Sequence, residues 1–233
     1  MLNATQIKEI FGKDKDHFAL VDYVLSHGAE ILYAQKDGVL AYFCGIHVLF
    51  GTSGVGLTNC LSKIEKSSCL VCSSQEESVA VMEKFTNFKR SKPCYQLLYR
   101  KAEGLTLPQG SEVEALLPTD ENIDLVTDTY TLGFAREDIK RLMQNFTFYA
   151  TKTDGELSGY IGRHDEGSIG LLEISPKFRR MGLGAFLVSY IANSLIEKGE
   201  IAYCNIETTN EKSVKMHRKM GYEMPKGLVY WCS

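Results

Sequence analysis

The sequence predicts an α/β fold, of α+β character, in two halves, with a mixed central sheet flanked by helices. Three observations carry that prediction. Short apolar runs of strand length alternate with segments of helical period over all 233 residues. A stretch with Gly104, Pro108 and Gly110, Ala102–Gly110, reads as a linker between residues 1–103 and 111–233. The segment Leu171–Ala185, LLEISPKFRRMGLGA, reads as a buried strand, a proline-bearing turn and a basic glycine loop, and a long helix follows it.

In the first half, Thr5–Phe11 and His17–His27 read as helices. Ala29–Gln35 and Val39–Cys44 form a hairpin across Lys36-Asp37-Gly38, where Asp-Gly is the turn signal. His47–Gly51 adds a strand. Gly54-Val-Gly56 resembles a glycine loop loosely but has no basic flank and no evident helix after it, so it is assigned to a turn. Leu70–Cys72, Gln75–Phe88 and Tyr95–Tyr99 give strand, helix and strand.

The second half opens with a strand over Glu112–Leu117, then a helical segment Asp120–Asn145 broken near Leu132-Gly133. Phe146–Lys152 and Leu157–Arg163 form a hairpin across Asp154-Gly155. Asp165-Glu166-Gly167 turns into the strand Ser168–Ser175. The helix from Ala185 to about Lys198 leads to the strand Ile201–Glu207, the helix Glu211–Lys219 and a left-handed cap at Gly221. No repeat is visible at residue level.

The glycine loop carries chemistry. Glycines at a helix start let backbone amides approach a ligand, and the first amides of a helix have no internal partner. The helix dipole is positive at that end, and Arg179 and Arg180 add charge. The construction suits a phosphate or pyrophosphate. It matches neither the dinucleotide fingerprint, because Arg179 replaces the first glycine, nor the Walker loop, which needs Gly-Lys-Ser/Thr.

The order strand, R-x-x-G-x-G, helix, strand, N-x-x-S, helix, Gly-Tyr over Gly170–Tyr222 resembles the GNAT acyltransferase superfamily. Within it, the chain looks most like the glycine N-acyltransferase-like branch, in which a worn GNAT-like half precedes the working one. Cys94–Arg100 and Val229–Cys232 fit that picture. The resemblance implies two GNAT-like halves, with residues 111–233 the complete acyl-CoA-binding domain. It implies acetyl-CoA, or another acyl-CoA, as co-substrate. The implied contacts are Leu172 and Ile174 on the strand, Arg179, Arg180, Met181, Gly182, Leu183, Gly184 and Ala185 in the loop, and Asn210 and Ser213 beyond. A bulge late in the central strand is implied as well, with the amide of Ile174 or its neighbour polarising the thioester oxygen.

Acyl transfer to an amine needs a base, because a free alkylamine has a pKa near ~10. Relatives carry a glutamate early in the central strand, where this chain has Ser168, so Glu173 and Glu166 are the carboxylates left. Relatives often place a tyrosine proton donor seven residues after the asparagine, and that position is His217. The catalytic pair expected is Glu173 and His217. An acceptor pocket lined by Tyr130, Phe134, Arg136 and Arg141, near Tyr149, Arg163 and Glu207, suits a small amine bearing a carboxylate.

The reading is an N-acyltransferase, expected to be an N-acetyltransferase, that acts on a primary amine of a small molecule by direct attack in a ternary complex. A protein N-acetyltransferase and an idle acyl-CoA sensor or scaffold stay open. The net charge of −3 gives no case for nucleic acid or a membrane surface. No apolar run approaches the ~20 residues of a membrane span. No signal pattern opens the chain. Seven cysteines, mostly inside strand-like runs, suggest reduced thiols in a cytoplasmic protein. Cys69-Leu-Val-Cys72 has no second pair or histidine partner, so no metal is expected. A homodimer is compatible with the family.

Overall fold

The arrangement comes from a computed structural model, which describes residues 1–14, 17–64, 70–85, 93–99, 107–224 and 228–232. Most of the expected linker, Cys69 and the end of the helix expected through Phe88 lie outside the described residues.

The first half runs α1 (Ala4–Phe11), α2 (Ala19–Ser26), β1 (Glu30–Gln35), β2 (Gly38–Phe43), β3 (Ile46–Gly51), α3 (Gly54–Leu61), β4 (Leu70–Ser73), α4 (Glu76–Phe85) and β5 (Cys94–Tyr99). The second runs β6 (Ser111–Leu116), α5 (Asp120–Thr129), α6 (Arg136–Asn145), β7 (Phe148–Thr153), β8 (Glu156–Arg163), β9 (Ile169–Ile174), α7 (Leu183–Glu197), β10 (Ala202–Glu207), α8 (Glu211–Lys219) and β11 (Leu228–Cys232). A 3-10 turn, Pro176–Phe178, links β9 to the glycine loop.

One expectation is corrected. Gly54–Leu61 is a helix, not a turn. Ser53 caps it by accepting from the Gly56 amide, and Leu57, Cys60 and Leu61 bury one side. Burial of that face overrides the poor helix propensity of Gly, Thr and Asn. Gly56 is fixed by close approach: a Cβ there would lie 2.0 Å from the Asp37 carbonyl oxygen.

Two sheets form. One is four-stranded and antiparallel, in the order β6-β7-β8-β9. The other has seven strands in the order β1-β2-β3-β4-β11-β5-β10. The sheet therefore crosses between the halves. β11 pairs with β4 and β5, and β5 pairs antiparallel with β10 from Cys94↔Glu207 to Tyr99↔Ala202. The alternation of β5 serves two cores. Leu98 packs with Tyr203, Val229 and the α1–α2 layer, while Leu97 and Tyr99 pack with α7 residues such as Leu187 and Ile191.

Polar contacts join the halves as well. Arg163 on β8 donates to the Tyr23 hydroxyl on α2 at 2.6 Å and pairs with Glu200 at 3.4 Å. Its guanidinium also lies over the Tyr23 and Phe146 rings. Burial pushes the Tyr23 phenol up to about 12 despite the arginine, so it stays a neutral hydroxyl.

Candidate active site

β9 is the edge of the four-stranded sheet and β10 the edge of the seven-stranded one. The two strands are close, yet no ladder joins them among the described residues. A cavity of about 780 Å³ opens between them and the starts of α7 and α8. An unpaired strand edge presents backbone donors and acceptors to whatever enters.

The implied bulge is present. Tyr160 pairs with Glu173 and Gly162 with Gly170, so one residue of β8, Ile161, faces two of β9, Leu171 and Leu172. Leu171 takes the left-handed conformation at φ 48°. The bulge thus lies earlier in the strand than Ile174, where it was expected. It leaves both leucines among the cavity residues.

The glycine loop closes one end. Pro176 starts the 3-10 turn and Phe178 anchors it in the core. Arg180 and Gly182 both adopt positive φ, 68° and 86°. Gly182 is the N-cap of α7, and no side chain caps the helix there. The first internal bond runs from the Phe186 amide to the Gly182 carbonyl. Leu183, Gly184 and Ala185, whose amides come before that bond, all line the cavity. A Cβ on Gly184 would stand 3.6–3.8 Å from Leu172, Ile174 and Met216, projecting into the space between β9 and α8. Arg179 donates to the Ile174 carbonyl and to Glu173, at 3.0 and 3.2 Å.

On the far side, Asn210 caps α8 by accepting from the Ser213 amide. One turn on, His217 is only 4% exposed and lines the cavity. Its Nδ1 lies 2.8 Å from the Ser213 carbonyl, and its ring stands edge-on to Tyr222. A carbonyl only accepts, so Nδ1 carries the proton and Nε2 keeps a lone pair. Burial holds the pKa of His217 below the usual range, the bond to Ser213 opposing. The ring is neutral at pH 7. A neutral imidazole with Nδ1–H committed presents the Nε2 lone pair as its remaining hydrogen-bonding group.

The carboxylates separate. Glu173 lines the cavity, accepts from Thr131 at 2.6 Å and pairs with Arg179. Glu166 is 3% exposed, outside the cavity lining, and accepts from Ser168 and Asn205. Ser168, at the position of the family glutamate, is fully buried.

Of the loop and strand residues inferred from the resemblance, Leu172, Ile174, Arg179, Arg180, Gly182, Leu183, Gly184, Ala185, Asn210 and Ser213 come together on the cavity, joined by Glu173 and His217. Met181 is 42% exposed and outside the lining. The arginines proposed for the acceptor are elsewhere. Arg136 binds Asp120 and Asp124, Arg141 binds Asp138 and Asp165, and Arg163 forms the clamp to Tyr23; none lines the cavity. Sequence reasoning passed over Asn205, His164 and Lys212. Asn205 had a signal, a polar residue inside an apolar strand.

Solved structures share this layout. A Drosophila protein aligns over 99% of this chain and 96% of its own, with TM-score 0.76 and 16% identity. A GCN5-related N-acetyltransferase from Kribbella flavida aligns over 100% and 96%, with TM-score 0.60 and 14% identity. The chain has the GNAT fold. A tandem GNAT protein from the clavulanic acid biosynthesis pathway covers 100% of this chain and 96% of its own, at TM-score 0.53 and 11% identity. Residues 148–231 match the family model described as FR47-like protein. That match takes in β7 to β11 of the GNAT fold, hence both walls of the cavity. Among the described residues, no helix is long and apolar enough to cross a membrane, and no cluster of metal-ligating side chains occurs.

Proposed function

We propose that the chain is an acyl-CoA-dependent N-acyltransferase that moves an acetyl or other acyl group from the thioester to a primary amine of a small molecule. The observation that carries this is the open crevice between β9 and β10, with the uncapped start of α7 at its end. Residues 111–233 are taken as the acyl-CoA-binding half and residues 1–103 as its structural counterpart.

The residues fit the co-substrate. The amides of Leu183, Gly184 and Ala185, with Arg180 beside them, suit a pyrophosphate. The absence of a side chain at Gly184 leaves room for a slender chain between β9 and α8. The Leu172 amide at the bulge is assigned as the donor toward the thioester oxygen, the Leu171 backbone being bonded to the Tyr130 phenol. The thioester supplies an activated acyl group and a thiolate leaving group. Glu173 takes a proton from the incoming ammonium, so that the attacking nitrogen is neutral. The Nε2 lone pair of His217 receives the second proton as the C–N bond forms and passes it to the sulfur as the C–S bond breaks.

Calorimetric titration with acetyl-CoA tests the reading, with Gly182→Asp as control. No described atom lies within 4 Å of a Cβ built on Gly182, but its φ of 86° strains any side chain, so the melting temperature of the variant is measured alongside. Saturable binding that the control loses is the expected result. If acetyl-CoA, CoA and longer acyl-CoAs all fail to bind folded protein, the reading falls.

A further inference from the structure

We infer that the acceptor taken by this cleft is a small aliphatic diamine, an amine with a second positive charge and no carboxylate; this rests on the acyl-transfer reading above. The polarity of the lining carries it. The basic residues on the cavity, Arg179, Arg180 and Lys212, belong to the glycine loop and the first turn of α8, the co-substrate end. Beyond them the described lining offers the carboxylate of Glu207 and the amide oxygen of Asn205, with Glu173 at the boundary, bonded to Arg179.

These groups converge. Burial, and then the neighbouring Tyr160, raise the pKa of the Tyr130 phenol on the same lining, and the charges of Glu173 and Glu207 add to the rise. Glu173 also accepts from Thr131, the residue after Tyr130, and Glu207 accepts from Thr209 at 3.3 Å. Among the described residues, Asn205 Oδ1 is buried without a hydrogen-bond partner, which favours an incoming N–H donor. Between the polar groups, Tyr130 and Leu132 give apolar surface for a methylene spacer. An acceptor bearing a carboxylate would bring a further anion beside Glu207, while Arg179, the arginine bonded within this lining, is already committed to Glu173. Arg136, Arg141 and Arg163 are held by Asp120, Asp124, Asp138, Asp165 and Glu200.

Three amines of one length separate the possibilities: 1,4-diaminobutane, butylamine and 4-aminobutyrate. Each is titrated calorimetrically into the protein saturated with CoA. The diamine should bind about tenfold more tightly than 4-aminobutyrate, with butylamine between, the scale of one ion pair gained and one repulsion avoided in a partly wet site. In Glu207→Gln the ratio should narrow to about threefold. Equal or tighter binding of 4-aminobutyrate overturns the proposal. So does the absence of binding by all three, or an unchanged ratio in a Glu207→Gln protein of wild-type melting temperature. Turnover with acetyl-CoA is measured separately. Diamine-selective binding without turnover overturns acyl transfer and leaves the ligand class standing, whereas turnover that favours 4-aminobutyrate does the reverse.

Discussion

The two halves contain the same succession of strand, glycine-bearing loop, helix, strand and helix, yet among the described residues the strands flanking that loop and helix pair in the first half and separate in the second. In the first half, β3 pairs in parallel with β4, from Ile46↔Leu70 to Leu49↔Ser73. The matching strands of the second half, β9 and β10, end separate sheets. The helix after β3 is capped by Ser53, and the Gln75 side chain bonds both the amide and the carbonyl of Gly51 at 2.8 and 2.7 Å. The helix after β9 has no side-chain cap. Polar backbone groups that the first half satisfies internally stand uncapped in the second, and it is there that we place the co-substrate.

The largest expected effect follows from filling the open half. Gly184→Leu should weaken acetyl-CoA binding at least about 100-fold, or about 2.7 kcal/mol, by calorimetry. Its melting temperature should stay near wild type, because the new atoms enter the cleft. The glycine of the closed half should behave oppositely. Gly56→Ala drives a Cβ into the Asp37 carbonyl and should cost about 2 kcal/mol of stability in urea titration, after the gain in helix propensity. Acetyl-CoA affinity, measured on the folded fraction, should hold. A G56A protein of unchanged stability would falsify the idea that the first loop is closed by packing.

Gln75→Ala strips both partners from buried Gly51 and should cost about 1–2 kcal/mol by the same titration, again without loss of acetyl-CoA affinity. The smallest effect concerns pH. His217 is held below its ordinary value of 6.5, so the unfolded chain takes up this proton before the folded one as pH falls. Stability from its neutral burial is complete above 6.5 and is lost below it. The melting-temperature gap between wild type and His217→Gln should therefore narrow from neutral pH to mildly acidic pH. A widening gap would mean that the ring is protonated in the fold.

Much of the second half was legible because its signals are local. The R-x-x-G-x-G run, the Asp154-Gly155 turn and the asparagine that opens the helix Glu211–Lys219 each act within a few residues, and each stands where the pattern puts it. What escaped was long-range. No residue pattern in Leu228–Cys232 says that β11 inserts between β4 and β5, since strand choice depends on which edges are open. α3 was missed because its residues favour helix only once Leu57 and Leu61 are buried. The acceptor arginines were misjudged for a similar reason. Arg136 is visible in sequence, but Asp120 and Asp124, which hold it, come from the neighbouring helix α5. The succession common to both halves left no residue-level repeat, because layer order constrains burial more than identity.

The insertion of β11 has a consequence for how the molecule is made. During synthesis β4 and β5 emerge early, and the strand that belongs between them appears only after all of β6 to α8. Until Leu228–Cys232 leaves the ribosome, the nascent first half holds a sheet with its middle missing and two unsatisfied edges exposed. Native pairing at the middle of that sheet therefore waits for all of β6 to α8 to be made.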